Sequence, residues 1–236
     1  MRLLNNNLKT AAVLLAGGSG SRMNSDSPKQ SMLLFGKSVL LRAAEAFERS
    51  ELIDSIVVVL KKTEMDFAKS ELSGISKKLI FTEGGSCRAE SAIKGFALAE
   101  SLADYVAIHD VARPLVTTSQ IDAVVRAAYL DGAASAVSLV TDTVKEVDNN
   151  GFIVKTPSRA LLRHAQTPQV FSVKIYRRAL DSFNGYLETL TDDNMLVERI
   201  GVKIRVVDIG SGNLKLTVPA DFKYAEFLLS EADKDE

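Results

Sequence analysis

Hydrophobic residues fall along the chain in short unbroken runs, and the stretches between them carry helical spacing. Residues 11–16 (AAVLLA) contain no polar side chain, the pattern of a strand buried on both faces. Ile56–Leu60, Lys78–Thr82, Asp104–His109 and Ala133–Val140 read as further strands. Between them, Ser38 is a good N-cap for a helix reaching Ser50, with Leu40, Ala43, Ala44 and Phe47 on one face. Residues 64–73 read as a surface helix. Arg88–Ser101 is a helix that buries Ala89, Ala92, Ile93 and Phe96, and Gln120–Leu130 is one with Ser119 as its N-cap. This alternation with short links predicts an α/β fold: a Rossmann-like, doubly wound, mostly parallel twisted sheet, in a single domain spanning residues 1–236.

The alternation breaks between about 141 and 165. Val144–Lys155 has two alternating segments around Asn150-Gly151, a hairpin signal with no helix to cover it. An exposed hairpin needs a partner, so residues of about 141–163 are expected to form a projecting dimerisation arm. Beyond it the pattern predicts a helix after Phe171, a helix over Asp192–Ile200 ended by Gly201, and a strand over Lys203–Ile209. A last helix starts near Pro219, a residue suited to the first helical position.

Composition narrows the function classes. The 236 residues are 46% hydrophobic and 25% charged, ordinary for a globular protein, and no apolar run approaches the roughly 18 residues of a membrane span. The N-terminal MRLLNNNLKT lacks the apolar core of a signal peptide, and the single cysteine, Cys87, cannot form an internal disulfide. Both lead to the expectation of a cytoplasmic protein. A net charge of −1 argues against a nucleic-acid partner but leaves room for a small anionic substrate held by a few local cations.

The polar signals gather at strand ends, where ligands bind in an open α/β sheet. The first strand runs into Gly17-Gly-Ser-Gly-Ser-Arg22, the third into Gly84-Gly-Ser-Cys-Arg-Ala-Glu-Ser91, the fourth into His109-Asp-Val-Ala-Arg-Pro114, and the late strand into Gly210-Ser-Gly-Asn-Leu-Lys215. The first loop is not a dinucleotide fingerprint, because Met23 stands where a glycine is needed, and it lacks the Gly-Lys-Ser/Thr of a P-loop. What remains is a glycine loop able to cradle phosphate on backbone amides, with Arg22 close behind and Lys29 held farther on by Pro28. Asp110 by itself reads equally as a turn former at a strand end, but with Arg113 and Pro114 beside it, it is the best candidate for magnesium, which takes one or two carboxylates and otherwise water and substrate oxygens. His109 reads as a residue oriented at a strand end rather than a catalytic one.

Leu15-Ala-Gly-Gly-Ser-Gly-Ser-Arg-Met23 with Pro28-Lys-Gln30 resembles the signature of sugar-nucleotide and alditol-phosphate nucleotidyltransferases. His109–Pro114, Asp142-Thr-Val-Lys145, Ala165-Gln-Thr-Pro-Gln169, Thr191-Asp-Asp193 and Asn213-Leu-Lys-Leu-Thr217 narrow the resemblance to the methylerythritol-phosphate cytidylyltransferases, over about residues 11–229. The resemblance implies transfer of CMP from CTP to an alditol phosphate with release of pyrophosphate, assisted by Mg²⁺. It implies that Arg22 and Lys29 stabilise the α-phosphate and that Lys215 and Arg159 hold the incoming phosphate. Ala16, Gly17, Gly18, Ser19, Gly20, Gly84, Gly85, Ser86, Arg88, Ser91 and Asp110 would bind the nucleotide, and Arg113, Thr143 and Thr167 the acceptor. It also implies a homodimer in which the arm carries Thr143 and Arg159 to the partner's site. Read without it, the 84–91 loop is an ordinary helix N-terminus with Ser86 as cap.

Three positions depart from the family's usual form: Gly18, Ser86 where an acidic residue is common, and Asn194 where a small residue is usual. Ribitol-5-phosphate cytidylyltransferases are the nearest alternative, but Val111-Ala-Arg-Pro114 and Lys145 favour methylerythritol phosphate. A non-catalytic nucleotide-binding protein of the same fold is disfavoured by the presence of Arg22, Lys29 and Lys215 together. An NAD-dependent dehydrogenase fails at Met23.

Overall fold

The computed structural model describes residues 7–17 and 28–232. In chain order the elements are β1 (Thr10–Leu15), β2 (Leu33–Leu34), β3 (Lys37–Ser38), α1 (Val39–Glu48), β4 (Ser55–Leu60), α2 (Met65–Glu71), β5 (Lys78–Glu83) and α3 (Arg88–Ala99). There follow β6 (Tyr105–Asp110), α4 (Thr118–Asp131), β7 (Ala133–Leu139), β8 (Glu146–Val147), β9 (Ile153–Lys155) and β10 (Arg163–Ser172). The chain continues through α5 (Val173–Asp181), α6 (Asp193–Glu198), β11 (Arg205–Asp208) and α7 (Pro219–Ala232).

A seven-stranded sheet in the order β11-β7-β10-β6-β1-β4-β5 organises the molecule. Strands β1, β4, β5 and β6 pair in parallel, as do β7 and β11, while β10 runs antiparallel to both of its neighbours. The expected α/β, doubly wound, mostly parallel sheet is present, with one reversed strand that the hydrophobic pattern does not announce. Strand β10 reads RHAQTPQVFS, and its Gln166, Thr167 and Gln169 are buried polar residues that interrupt any apolar run. A shift in its register against β7 between Ala165 and Gln169 brackets a cis Thr167–Pro168 bond.

Alternation along β1 divides the core. Ala12 and Leu14 face α1, α2, α4 and α7, whereas Ala11 and Val13 face α3, α5 and α6. Gly95 lets α3 lie flat on the sheet: a Cβ there would stand 2.4 Å from Val13 Cγ1 and 2.7 Å from Val59 Cγ2.

The helix signals hold with local adjustments. Ser38 Oγ accepts from Leu41 N at 3.0 Å, as expected of the α1 cap. The cap of α4 is Thr117, not Ser119: Thr117 Oγ1 accepts from Gln120 N and Gln120 Oε1 from Thr117 N, a reciprocal pair that places Ser119 inside the helix. Among residues 64–73, α2 is preceded by a 3-10 turn at Lys62–Glu64.

Strands β8 and β9 form the anticipated hairpin, separate from the central sheet. Its turn is a three-residue loop between Asp148 and Phe152, with Gly151 at φ +86° and Asp148 Oδ1 accepting from the amides of Asn150 and Phe152. Phe152, Ile153 and Val154 are exposed. Among the described residues, no helix is long and apolar enough to cross a membrane.

Candidate functional site

The order of strands reverses direction between β1 and β6. The chain builds outward from β1 to β4 and β5, then returns to place β6 on the other side of β1. Neighbouring loops therefore diverge at the carboxyl ends of these two strands and leave a crevice. A cavity of about 550 Å³ lies there. Ala16 and Gly17 after β1, Leu60 and Lys61 at the end of β4, Gly84–Arg88 after β5, and Asp110 and Val111 at the end of β6 line it, with Ser91, Lys29, Lys215 and Thr217 among the rest of the wall. An annex of about 140 Å³ shares Arg88, Asp110 and Lys215 with the cavity and adds Arg113, Thr167 and Asp192.

Charge is arranged across the junction of the two spaces. Arg88 Nε donates to Asp110 Oδ1 at 2.9 Å and its Nη1 to Asp193 Oδ2 at 2.8 Å, while Lys215 Nζ donates to Asp110 Oδ2 at 2.7 Å. Tyr176, wholly buried, donates its hydroxyl to Asp193 Oδ1 at 2.6 Å. Burial works against the Asp110 charge, yet Arg88 and Lys215 outweigh it and hold the carboxyl below the ordinary range. Burial likewise opposes the Arg88 charge, and Asp193 and Asp110 more than restore it. Asp193 and Tyr176 thus hold Arg88 from behind, and Arg88 and Lys215 hold Asp110 from both sides.

His109 is fully buried, and burial lowers its pKa to about 4, so the ring is neutral at physiological pH. Thr167 Oγ1 accepts from Asp110 N at 3.1 Å and lies 3.0 Å from His109 Nδ1, to which it donates. The Nε2 proton then goes to the Arg113 carbonyl, 3.2 Å away. The histidine supports the 109–113 turn.

One irregular segment brings the two lysines together. Asn213, wholly buried, donates to Gln166 Oε1 and the Thr167 carbonyl, and Arg113 Nη1 donates to the Asn213 carbonyl at 2.8 Å. Lys215 points to Asp110, Leu216 N donates to the Ala112 carbonyl at 2.7 Å, and the Leu216 carbonyl accepts from Lys29 Nζ at 2.7 Å. Asp221, in the first turn of α7, accepts from Thr217 N, Thr217 Oγ1 and Val218 N and fixes the far end of the segment. Gln30, next to Lys29, is buried and donates to Glu64.

The structure therefore brings together Ala16, Gly17, Lys29, Gly84, Gly85, Ser86, Arg88, Ser91, Asp110, Arg113, Thr167 and Lys215. Gly18, Ser19, Gly20 and Arg22 lie outside the described residues. Thr143 and Arg159 line neither space; both are exposed on the arm, where Arg159 Nη1 donates to the Thr141 carbonyl. Two expectations are corrected. Ser86 is not the cap of α3: Cys87 is, its Sγ accepting from Glu90 N, while the Ser86 amide and hydroxyl both go to the Glu90 carboxylate. The glycines after β11 do not reach the crevice, because β7, β10 and β6 stand between β11 and β1; the chain runs back and only Lys215 and its neighbours arrive. Asp193 and Glu90 lie in recognised runs, but Tyr176 carries no local signal of its contact.

Comparison with known proteins agrees with this geometry. The family model for 2-C-methyl-D-erythritol 4-phosphate cytidylyltransferase matches residues 10–231. A 2-C-methyl-D-erythritol 4-phosphate cytidylyltransferase of Lachnospira eligens is 38% identical over 223 residues, covering 92% of this chain and 98% of the relative. Its counterpart in Symbiobacterium thermophilum is 39% identical, with 94% and 93% covered. Among solved structures, a 4-diphosphocytidyl-2C-methyl-D-erythritol synthase from Anaerococcus prevotii superposes with a TM-score of 0.84 at 25% identity, covering 94% of this chain and 99% of that one. A Thermus thermophilus 2-C-methyl-D-erythritol 4-phosphate cytidylyltransferase gives 0.70 at 28% identity, with 92% and 97% covered. The chain belongs to the 2-C-methyl-D-erythritol 4-phosphate cytidylyltransferase family.

Proposed function

We propose that the protein transfers CMP from CTP to 2-C-methyl-D-erythritol 4-phosphate, forming 4-diphosphocytidyl-2-C-methyl-D-erythritol and pyrophosphate in the cytoplasm. The observation that carries this reading is the placement of Lys29, Arg88 and Lys215 around one crevice at the switch point of a sheet belonging to this family. An oxygen of the acceptor's phosphate attacks the α-phosphorus of CTP; the new P–O bond forms as the bond to the β-phosphate oxygen breaks, and pyrophosphate leaves. The attacking phosphate is already ionised, so no general base is required, which accords with a buried, neutral His109.

Such a reaction needs positioning and stabilisation of negative charge more than covalent help. Lys29 and Arg22 are assigned to the α-phosphate, Lys215 and the arm's Arg159 to the acceptor's phosphate, and the annex with Arg113 and Thr167 to the acceptor itself. The loop of Gly84, Gly85 and Ser86 with Ser91 is assigned to the base. Gly17 and the following Gly18, Ser19 and Gly20 are assigned to the triphosphate. Among the described residues, Thr143 and Arg159 line neither the cavity nor its annex, and the hairpin leaves Phe152, Ile153 and Val154 exposed; both support a homodimer whose arm serves the partner's site.

The donor set fits magnesium on chemical grounds. Asp110 is an ionised hard-oxygen ligand, and each of its oxygens accepts one charge-assisted hydrogen bond and keeps a lone pair. Among the described residues no cluster of three or more acidic, His or Cys side chains offers an alternative. Bound there, Mg²⁺ would neutralise triphosphate charge.

The direct test is pyrophosphate release from CTP and Mg²⁺ with methylerythritol phosphate or ribitol 5-phosphate as acceptor. Release with the first and little with the second is expected. Preference for ribitol 5-phosphate, or no release with either, would overturn the assignment.

A further inference from the structure

Behind the loop that closes one side of the cavity, α3 sends back three side chains. Glu90 Oε2 accepts from Ser86 N at 2.6 Å and Ser86 Oγ at 2.8 Å. Ser91 Oγ accepts from Gly85 N at 3.0 Å and donates to the Cys87 carbonyl at 3.0 Å. Lys94 Nζ donates to the Gly84 carbonyl at 3.0 Å and pairs with Glu90 Oε1 at 3.1 Å. Gly84 N donates to the Leu60 carbonyl at 2.9 Å. Every amide from Gly84 to Ser86 is thus engaged within the chain. The loop lines the cavity, whereas Glu90 does not. Its side chain lies directly beneath Gly85, where a Cβ would meet Glu90 carbons at 2.3–2.4 Å. The Ser86 hydrogen bonds hold the Glu90 carboxyl down to about 2, so it is ionised and accepting across the physiological range.

We propose that Glu90 is a positioning residue for base selection: by occupying the Ser86 amide and hydroxyl, it leaves backbone carbonyls as the polar groups the loop offers a pyrimidine. Carbonyls accept from the exocyclic amine of an amino-pyrimidine and are repelled by the oxygen that replaces it in an oxo-pyrimidine. Freed from Glu90, the Ser86 donors could pair with that oxygen and erode the discrimination. The inference rests on the assignment of the base to this loop.

The test is kcat/KM for CTP and UTP, with methylerythritol phosphate as acceptor, in the wild type, Glu90→Ala and Glu90→Gln, with melting curves to confirm folding. Glu90 is partly exposed on the first turn of α3, where both replacements are compatible with a helix. Glu90→Ala should lower the CTP:UTP ratio on the order of 10-fold, mainly through KM for the nucleotides and with KM for the acceptor unchanged. Glu90→Gln keeps an oxygen that can accept the Ser86 bonds and should hold the ratio to within about threefold. A wild-type ratio retained in Glu90→Ala would overturn the proposal, as would an equal loss in both variants. A wild type indifferent to the base would instead overturn the assignment of this loop to the nucleobase.

Discussion

Lys29 is tied to the Leu216 carbonyl at 2.7 Å and lines the cavity, so its ammonium is set before any triphosphate arrives. Groups fixed in advance where charge develops contribute mostly to the transition state. Lys29→Ala is therefore expected to reduce kcat by roughly 10²-fold or more with a smaller change in KM for CTP, measured by steady-state pyrophosphate release. Near-normal turnover would remove Lys29 from the catalytic apparatus. His109 gives a prediction of a different kind. Its folded pKa lies near 4, below the unfolded value of 6.5, so the unfolded chain binds the extra proton between those limits. The associated stability is present above about pH 6.5 and is lost as pH falls toward 4, a contribution on the order of 3 kcal/mol. Urea titrations at pH 7 and 4.5 should show a smaller loss in His109→Gln than in the wild type; equal losses would exclude the histidine as a source. Lys29 and Lys215 were legible in the sequence because their runs carry residue type and spacing together. The partnerships were not: Asp193 meets Arg88, and Tyr176 meets Asp193, only after three separate elements pack, and no local pattern encodes those meetings.

At the scale of elements, the alternation of apolar runs and helical spacing located the parallel strands and the helices to within a few residues. It failed at β10, whose buried glutamines and threonine serve the site rather than the core. It also passed over β2 and β3, whose two residues each are too few for a period to register. Helix α3 offers a test of packing. Its Gly95 rests against Val13 and Val59, so Gly95→Ala forces the helix off the sheet and should cost about 1–3 kcal/mol in urea unfolding. An unchanged midpoint would show that the valines yield. The β8–β9 hairpin makes the complementary case. Phe152, Ile153 and Val154 are exposed at 71%, 63% and 62%, with no described element of the same chain covering them. Replacing residues 141–163 with a short linker should yield a monomer of low activity by sedimentation velocity and assay. A fully active monomer would refute the exchange of arms, because Thr143 and Arg159 would then be dispensable.

For the whole molecule, the fold was readable because a doubly wound sheet follows from repeated strand–helix order, and the crevice from where that order turns back on itself. The route by which the far edge reaches the crevice was not, since it depends on the irregular chain after β11. That segment has a consequence for how the protein can change. Consecutive residues perform opposed tasks: the side chain of 215 reaches Asp110, whereas the main chain of 216 receives Lys29 and binds Ala112. Buried Asn213 anchors one end and the Thr217–Asp221 contacts the other. Adding or deleting one residue between these anchors would exchange the two tasks and turn a charged side chain toward the interior. Loops ordinarily absorb changes of length; this stretch, although without regular secondary structure, has a fixed phase and should be as intolerant of frame changes as a buried strand.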